Sequence, residues 1–342
     1  MIRKKEIIKF GLIVITVSFF LLLFWWFFDF IGIINNFPIF NNSNFLLSNS
    51  KNYYLTSDLN QPIEKNFFSK SDNFQILNNR IYYHDIVNNQ IKWYEDGDTG
   101  ELIFTKSKGY LNFLLNQKEK IAWSDSSFNN ILKNTNSALY SADIDGDDKK
   151  VLLKQELVGN RYLNPIFWKD ENILVFTYKD NIVGELQNYI GSDQVQQINI
   201  INQETNTLFS QNDAKIFDIN NKLEKLVFIK EIKNQYVLYL SDIGRAKNQE
   251  ILKTKNNIIS VKFSNRHCFF VSLSDNYIFI YNNNGEKKRE LKNYQALEWY
   301  NNSKIIVKNV LEQKKGIELY DINSGELSHF SDYEFVAAEN NF

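Results

Sequence analysis

The sequence is poor in the residues that make covalent or metal-bound scaffolds. Its 342 residues include one cysteine, one methionine, three prolines and 13 glycines. A single cysteine excludes an intrachain disulfide and any metal site built from several thiolates. The formal net charge is −1, so no global basic field argues for nucleic acid as a partner. Apolar residues make up 44% of the chain, which is typical of a folded protein.

One long apolar run stands at the N-terminus. Residues 10–28 contain no charged side chain, and they follow residues 1–9, which carry four Lys or Arg. Nineteen helical residues span about 28 Å, close to the thickness of the hydrocarbon core of a bilayer. The sequence therefore predicts a cytoplasmic basic segment (1–9), a transmembrane helix (10–28) and a juxtamembrane linker (29–36), with the remainder on the extracytoplasmic side of a cell membrane. A cleaved signal peptide and a buried soluble helix are the alternatives, but no small-residue cleavage site follows the run.

Short strands are predicted from residue 37 onward. The apolar runs are four to eight residues long and lie between clusters of turn-forming residues. A hairpin of one type occurs seven times, mostly about 40 residues apart. Its turn residues are Asn60, Gly100, Gly146, Asn206, Asn248, Gly285 and Gly325. In most repeats a second type of hairpin precedes this one, as in "VKFSNRHCFFVSLSD". Four strands in each period of about 40 residues predict an all-β domain, a β-propeller, over residues 37–342.

The number of predicted blades follows from the repeated turns. Seven blades are favoured, and six is the alternative if the weak first unit is a connector. The C-terminal tail "YEFVAAENNF" contains one more strand-like run. We expect this run to become the innermost strand of the first blade, which closes the ring and hides its edges.

The repeats resemble a known group of propellers. "ALYSADIDGDDKKVLL" matches a Y-x-x-D-x-D-G-like turn, and "IFWKDENILVFTYKD" matches a W-S-P-D-G-like turn without its Pro and Gly. These units are similar to the WD-like repeats of Tol-type periplasmic propellers and of dipeptidyl-peptidase-type propellers, over roughly residues 40–342. The resemblance implies the fold and no particular member. The G-x-S-x-G motif of the hydrolases is absent from the sequence.

Acidic residues cluster in the turn "ADIDGDDKK". The cluster contains Asp143, Asp145, Asp147 and Asp148, and carboxylate oxygens are ligands that Ca²⁺ prefers. The spacing of an EF-hand is missing, and Asp-Gly is a strong hairpin signal. We therefore interpret this segment, and "EDGDTGE" at residues 95–101, as turns and predict no metal site or cofactor.

Histidine and cysteine give no clear catalytic pattern. The three histidines, His84, His267 and His329, are far apart and form no zinc motif. Cys268 lies in the apolar run "HCFFVSL" and is expected to be a small buried side chain. No catalytic residue is predicted, and the sequence assigns no particular residue to partner binding, so the binding residues are unknown from sequence.

Two further features bear on a binding surface. Trp93, Trp123, Trp168 and Trp299 are expected to pack between blades, with stacking on a ligand as the alternative. The segment between Phe176 and Gln197 is predicted to be a loop insertion, either an ordinary surface loop or a cap over one mouth of the central channel.

The predicted function is that of a non-catalytic protein-binding or scaffolding module of a bacterial cell envelope. A monomeric propeller would be anchored in the lipid bilayer through residues 10–28 and bind a protein partner on one face. Two alternatives stay open, since a fold does not fix a function. One is a propeller that binds a glycan or another small ligand, and the other is a hydrolase or lyase with its site at the channel mouth.

Overall fold

The computed structural model describes residues 45–48, 53–56, 63–65, 74–78, 80–95, 98–107, 109–180, 189–220, 222–245, 247–264, 268–311, 316–331 and 334–338. The segments predicted at residues 1–9, 10–28 and 29–36 lie outside these residues. Within them, no helix has the length and apolarity needed to cross a membrane.

The described residues form an all-β propeller made of antiparallel sheets. The first sheet has the order β27 (Glu334–Ala338), β1 (Phe45–Ser48), β2 (Tyr53–Thr56) and β3 (Ile63–Lys65). The second contains β4 (Phe74–Leu77), β5 (Arg80–Asp85), β6 (Gln90–Glu95) and β7 (Asp98–Leu102), followed by a 3-10 turn at Ile103–Thr105. The third contains β8 (Tyr110–Leu115), β9 (Lys120–Asn129), β10 (Asn134–Asp143) and β11 (Lys150–Val158).

A sheet of seven strands follows the third sheet. It contains β12 (Arg161–Trp168), β13 (Ile173–Asp180), β14 (Gly191–Asn199), β15 (Thr205–Ile219), β16 (Lys225–Ile232), β17 (Gln235–Asp242) and β18 (Lys247–Thr254). The next sheet contains β19 (Ile258–Phe263), β20 (Cys268–Leu273), β21 (Tyr277–Asn282) and β22 (Lys287–Lys292). The last contains β23 (Tyr294–Trp299), β24 (Lys304–Asn309), β25 (Ile317–Asp321) and β26 (Leu327–Ser331).

Burial along the strands explains their composition. Five of the six residues of β20 are buried, since neighbouring sheets cover both faces of a central strand, and its sequence "CFFVSL" is almost continuously apolar. The outer strand β22 reads "KKRELK", and five of its six residues are exposed. Lysine on an outer strand discourages pairing with another chain. The lysine-rich segment is thus a solvated outer strand.

The ring closes through the C-terminal strand. β27 pairs antiparallel with β1, with Phe45 opposite Ala338 and Ser48 opposite Glu334. This pairing places β27 as the first strand of the first sheet, as the tail "YEFVAAENNF" predicted. The first and last described strands are therefore joined by main-chain hydrogen bonds.

The propeller has two faces, which the chain direction defines. In each sheet the innermost strand lies next to the central channel. We call the face of the propeller on which these innermost strands begin the mouth face. The hairpins between second and third strands and the connections between sheets lie on this same face, because strands alternate in direction. The opposite face carries the hairpins between first and second and between third and fourth strands.

The predicted insertion between Phe176 and Gln197 is shorter than expected. β13 continues to Asp180 and β14 begins at Gly191, so all of "GSDQVQQ" belongs to a strand. Val195 and Ile198 are fully buried on it, which explains why this polar segment pairs as a strand. Residues 181–188 lie outside the described part of the chain.

Candidate functional site

Arg161 is the centre of a charged network on the mouth face. It is the first residue of β12, and its Nε lies 3.3 Å from Oδ1 of Asp180 at the end of β13. Its Nη2 lies 3.0 Å from Oδ2 of Asp193 and donates to Ser192 Oγ at 3.2 Å. One guanidinium group thus joins the first three strands of its sheet.

Lys215 connects the following innermost segment to the same carboxylate. Its Nζ lies 2.5 Å from Oδ2 of Asp180, and the Ser192 hydroxyl lies 3.1 Å from that oxygen. The side chains of Asp180 and Lys215 are 19% and 27% exposed, so water screens this pair less than a pair at the open surface. With Arg161 and Asp193 the network holds two cations and two carboxylates, and its net charge is zero.

Tyr189 is a buried neighbour of Asp180. Its side chain is buried, and its hydroxyl donates to the main-chain carbonyl of Asp180 at 3.2 Å. Lys215 Nζ lies 5.0 Å from the ring centroid, within the range of a cation–π contact. Burial, together with the nearby Asp180, raises the pKa of Tyr189 far above its ordinary value. The phenol therefore stays protonated and acts as a donor.

An aromatic pair lies beside this network. Tyr110, the first residue of β8, is 39% exposed, and its ring centroid is 4.6 Å from that of the buried Tyr162 on β12. Burial, reinforced by Tyr110, strongly raises the pKa of Tyr162, so this phenol is neutral. An exposed tyrosine held by a buried one presents a fixed apolar surface with a polar edge, which suits contact with a ligand or a partner.

Two amides continue the polar lining from one sheet to the next. Nδ2 of Asn112 on β8 donates to Oδ1 of Asn164 on β12. Asn164 in turn donates from its Nδ2 to the carbonyl of Ile190 at 2.8 Å. Buried or partly buried amides with satisfied partners hold a fixed geometry. The mouth therefore has an ordered polar wall next to the aromatic pair.

A second charged cluster lies towards the opposite face. Asp218, Lys262 and Glu298 occupy the last part of β15, β19 and β23, and Lys262 forms an ion pair with Glu298. Asp218 accepts main-chain N–H groups from Phe263 at 2.6 Å and from Ile219 at 2.9 Å. The cluster thereby connects three consecutive innermost strands.

The pKa values in this cluster are shifted by burial. Burial raises the pKa of Asp218 to about 7, against the opposing effect of its two main-chain hydrogen bonds and of Lys262. Burial alone would lower the pKa of Lys262, but the adjacent Glu298 carboxylate holds it above its ordinary value. Around neutral pH, Asp218 is the member of the cluster that changes charge.

This shift predicts a pH dependence of stability. Because folding raises the pKa of Asp218 from 3.8 to about 7, the native state holds a proton that the unfolded state has lost between these values. The free energy of unfolding should therefore fall by on the order of 2 kcal/mol between pH 5 and pH 8 from this group. Chemical unfolding of the wild type and of Asp218→Asn across this range measures the effect.

The variant separates the charge from the hydrogen bonds. Asp218→Asn has two separable effects. The loss of a carboxylate oxygen that accepts a main-chain N–H lowers the free energy of unfolding equally at every pH. The loss of the titrating carboxyl group removes the pH dependence of that free energy. Two parallel profiles would show that Asp218 does not titrate in this range.

The acidic cluster at residues 143–148 forms a turn. The main-chain N–H of Gly146 donates to the carbonyl of Asp143 at 2.9 Å, and Gly146 has a φ of +99°. Asp143 forms an ion pair with Lys120, and Asp148 forms one with Lys150, each at 2.8 Å. Among the described residues, no three His, Cys, Asp or Glu are grouped so that they could hold a metal ion.

The two described histidines and the cysteine lie in three different sheets. His84 is buried near the end of β5 and contacts Asn89 Oδ1 at 2.8 Å, and His329 is exposed on β26. His267 is outside the described residues. Cys268 opens β20 and is half-buried rather than fully buried, and burial raises the pKa of its thiol. A thiol with a raised pKa is a poor nucleophile at neutral pH.

The tryptophans pack between sheets, as the sequence predicted. Trp123 is 2% exposed and contacts Phe104 of the preceding sheet at a centroid distance of 5.5 Å. Trp299 is half-buried and lies 5.8 Å from Phe270 of its neighbour. Trp168 is buried in a core cluster and Trp93 is partly buried in another, so none of the four forms an exposed stacking platform.

Neither charged cluster was predicted from the sequence. The mouth network depends on residues between 13 and 54 positions apart, such as Asp180, Asp193 and Lys215, so no local motif marks it. The second cluster carries a detectable signal. In each unit, the hairpin between the first and second strands is closed by one main-chain N–H, that of Asn220 or of Ser264. Asp218 stands two residues before Asn220, and Lys262 stands two residues before Ser264. Charges at one repeated position of an apolar innermost strand are unusual and point to a shared environment.

Comparison with known proteins identifies the fold alone. No model of a protein family matches the chain, and no curated protein sequence matches it. An oligogalacturonate lyase in complex with manganese has a TM-score of 0.53 at 12% identity, over 83% of this chain and 82% of the lyase. An oligogalacturonate lyase from Vibrio parahaemolyticus has a TM-score of 0.50 at 11% identity, over 81% of each chain.

A peptidase gives a similar result. An acylaminoacyl peptidase from Pyrococcus horikoshii has a TM-score of 0.55 at 14% identity, over 86% of this chain and 51% of the peptidase. The chain thus spans about half the length of that enzyme. At these identities the likeness concerns the propeller, and the resemblance to Tol-type repeats stays a prediction.

Proposed function

We propose that the chain is a membrane-anchored, extracytoplasmic propeller that binds a protein partner through its mouth face and does not catalyse a reaction. The observation that carries this proposal is the mutual pairing of Arg161, Asp180, Asp193 and Lys215. Each charge already has a counter-charge within 3.3 Å, so the network holds strands in place and offers a pre-organised polar surface. Recognition of a partner benefits from such pre-organisation.

We further propose a ring of seven blades. Five sheets have four strands, and β15 divides the seven-stranded sheet into two units. Its first part pairs with β14, with Thr205 opposite Ile198, and its last part pairs with β16, with Ile219 opposite Leu226. Counting these units separately gives seven four-stranded units, which supports the count.

Site-directed photo-crosslinking tests the partner proposal. A photoreactive amino acid replaces Tyr110 in the tagged full-length chain, expressed in its own cells. Leu327 on the opposite face is a matched control, since the two side chains are 39% and 38% exposed. We expect one reproducible protein adduct from position 110 and none from position 327. Asp180→Ala should abolish the adduct because it leaves Arg161 and Lys215 without their shared carboxylate.

Equal adducts at both positions, or none at position 110, would contradict a protein partner on the mouth face. Digestion of the propeller by protease added outside intact cells tests the orientation independently. Protection of the propeller in spheroplasts would overturn the extracytoplasmic location, whatever the crosslinking shows.

A glycan is the second candidate ligand, and the exposed ring of Tyr110 favours it. An aromatic face beside Asn112, Asn164 and Asp193 matches the alternating apolar and hydroxylated faces of a sugar ring. Titration of the solubilised chain with polysaccharide fragments from the same cells, followed by tryptophan fluorescence, tests this candidate. Saturable binding that Tyr110→Ala weakens at least about tenfold would support it, a loss of roughly 1.4 kcal/mol.

A further inference from the structure

Exposed apolar side chains are concentrated on one face of the propeller. Among the described residues, fourteen large apolar side chains are exposed. Three of them, Val151, Ile201 and Leu327, lie on the opposite face, and the other eleven lie on the mouth face. Single exposed apolar residues are ordinary on any protein, but such a one-sided distribution marks an interaction surface.

The most exposed of these side chains form an aliphatic rim at the tips of separate loops. They are Val87, Ile103, Ile131, Leu132, Val158 and Leu311, with exposed fractions from 65% to 89%. Val87 is in the turn between β5 and β6, and Ile131 and Leu132 are at the tip of the long hairpin between β9 and β10. The rim therefore lies on loops of three sheets, the second, the third and the last.

Lysine accompanies the rim. Lys106 follows Ile103 by three residues, Lys133 follows Leu132 directly, and both lysines are exposed. The exposed Lys233 likewise follows the partly exposed Ile232 at the tip of the hairpin between β16 and β17. Protein interfaces are enriched in aromatic residues, Met and Arg and depleted in Lys. Aliphatic tips next to lysines instead match a surface of anionic lipid, which takes apolar side chains between its acyl chains and attracts cations.

We propose that the aliphatic rim inserts into the surface of an anionic lipid bilayer, so that the mouth faces the membrane. The inference rests on the proposed membrane anchoring and names the surface that the rim contacts. A partner at the mouth would then itself be a membrane protein or present its binding segment at the bilayer surface.

The length of the chain before the first strand allows this contact. β1 is the second strand of its sheet, so the chain enters it from the opposite face. Sixteen residues separate the predicted span, which ends at residue 28, from β1, and they reach at most about 55 Å when extended. The strands of a sheet are shorter than this, about 20 Å for six residues. The connection therefore does not restrict the membrane to the opposite face.

Fluorescent probes on the two faces test the proposal with the full-length chain. Cys268→Ser supplies a background without cysteine, and Leu311→Cys or Leu132→Cys then carries a polarity-sensitive dye on the rim. Ile201→Cys is the matched control, since Ile201 and Leu311 are 68% and 69% exposed. Each labelled protein is reconstituted into vesicles of phosphatidylcholine, with or without phosphatidylglycerol, and lipids with a quencher on the acyl chain report contact.

We expect both rim probes to shift to the blue in vesicles with phosphatidylglycerol and to be quenched several-fold more strongly than the Ile201 probe. Replacement of Lys106, Lys133 and Lys233 by Glu should reverse the shift while the protein still floats with the vesicles. Rim probes that remain in water while the protein floats would overturn the rim contact and leave the anchor intact. A protein that does not float would overturn both.

The rim probes could also shift to the blue in detergent, or their shift could grow with the ratio of protein to lipid. Either result would show that the rim contacts a second copy of this chain, and it would overturn the proposal. An equal shift of the rim and control probes would show a general change of the propeller and would overturn it as well.

Discussion

Deletion of residues 332–342 is expected to lower the stability of the propeller strongly. β27 is the innermost strand of the first sheet, and its partner β1 lies almost 300 residues earlier in the chain. Removal of β27 leaves the N–H and C=O groups on one side of β1 without partners and opens the ring. Four residue pairs, with a register shift between Leu46 and Leu47, correspond to about four hydrogen bonds, which together contribute about 2–6 kcal/mol. Thermal unfolding followed by circular dichroism measures the loss.

The unpaired edge of β1 also predicts how the truncated chain behaves. An exposed strand edge is a template for pairing with another chain, so the truncated protein should form oligomers. Deletion of residues 339–342 alone, which follow β27 in the sequence, is the control. It should leave the melting temperature unchanged. A synthetic peptide of residues 332–342 should restore part of the stability by adding the missing strand. Unchanged unfolding of the truncated chain would show that ring closure does not depend on β27.

The strands could be predicted from the sequence because each blade repeats a local pattern. In "VKFSNRHCFFVSLSDNYIFIYNNNGEKKREL" the apolar runs correspond to β19, β20 and β21, and the lysine-rich end is β22. Each local signal predicts the same strands: the alternation of apolar and polar residues, the β-branched and aromatic residues, and the turn residues between the runs. The closing strand was predictable for a different reason, since an unpaired edge in a ring needs a partner.

The mouth network could not be predicted in the same way. Arg161 and Asp180 come together only when β12 and β13 pair in the register that places them opposite each other, and Lys215 arrives on another strand. The polar segment 191–197 was misinterpreted as a loop because its glutamines hide the alternation that buries Val195. Tertiary pairing, rather than local preference, decides such segments.

The two charged clusters differ in what they do for the fold. The mouth network is neutral and paired across strands of neighbouring units, which fixes the ends of those strands near the surface. Asp218 accepts a hydrogen bond from the next innermost strand at Phe263, so its charge state affects the contact between units. Binding at the mouth and the stability of the ring thus depend on different residues, and variants can change them separately.

Replacement of Trp123 by Ala is expected to have the other large effect, a loss of about 3–5 kcal/mol in the free energy of unfolding. The indole is 2% exposed, stacks on Tyr140 with the rings 11° apart and meets Phe104 edge-on. Its removal opens a cavity between two sheets that the rigid strands on either side do not collapse to fill. The entropy of unfolding of a domain of about 300 residues is about 0.6 kcal/mol/K, so this loss should lower the melting temperature by about 5–8 °C.

Trp299→Ala provides the matched comparison. That indole is half-buried and donates from Nε1 to the carbonyl of Lys262 at 3.0 Å, so its removal loses less apolar burial and one hydrogen bond. We expect a cost of about 1–3 kcal/mol, below that of Trp123→Ala, because water replaces part of the side chain. Trp123→Phe should recover more than half of the loss by restoring the aromatic contact with Tyr140. An equal cost for Trp123→Ala and Trp299→Ala would show that packing between the second and third sheets is not the dominant contribution at Trp123.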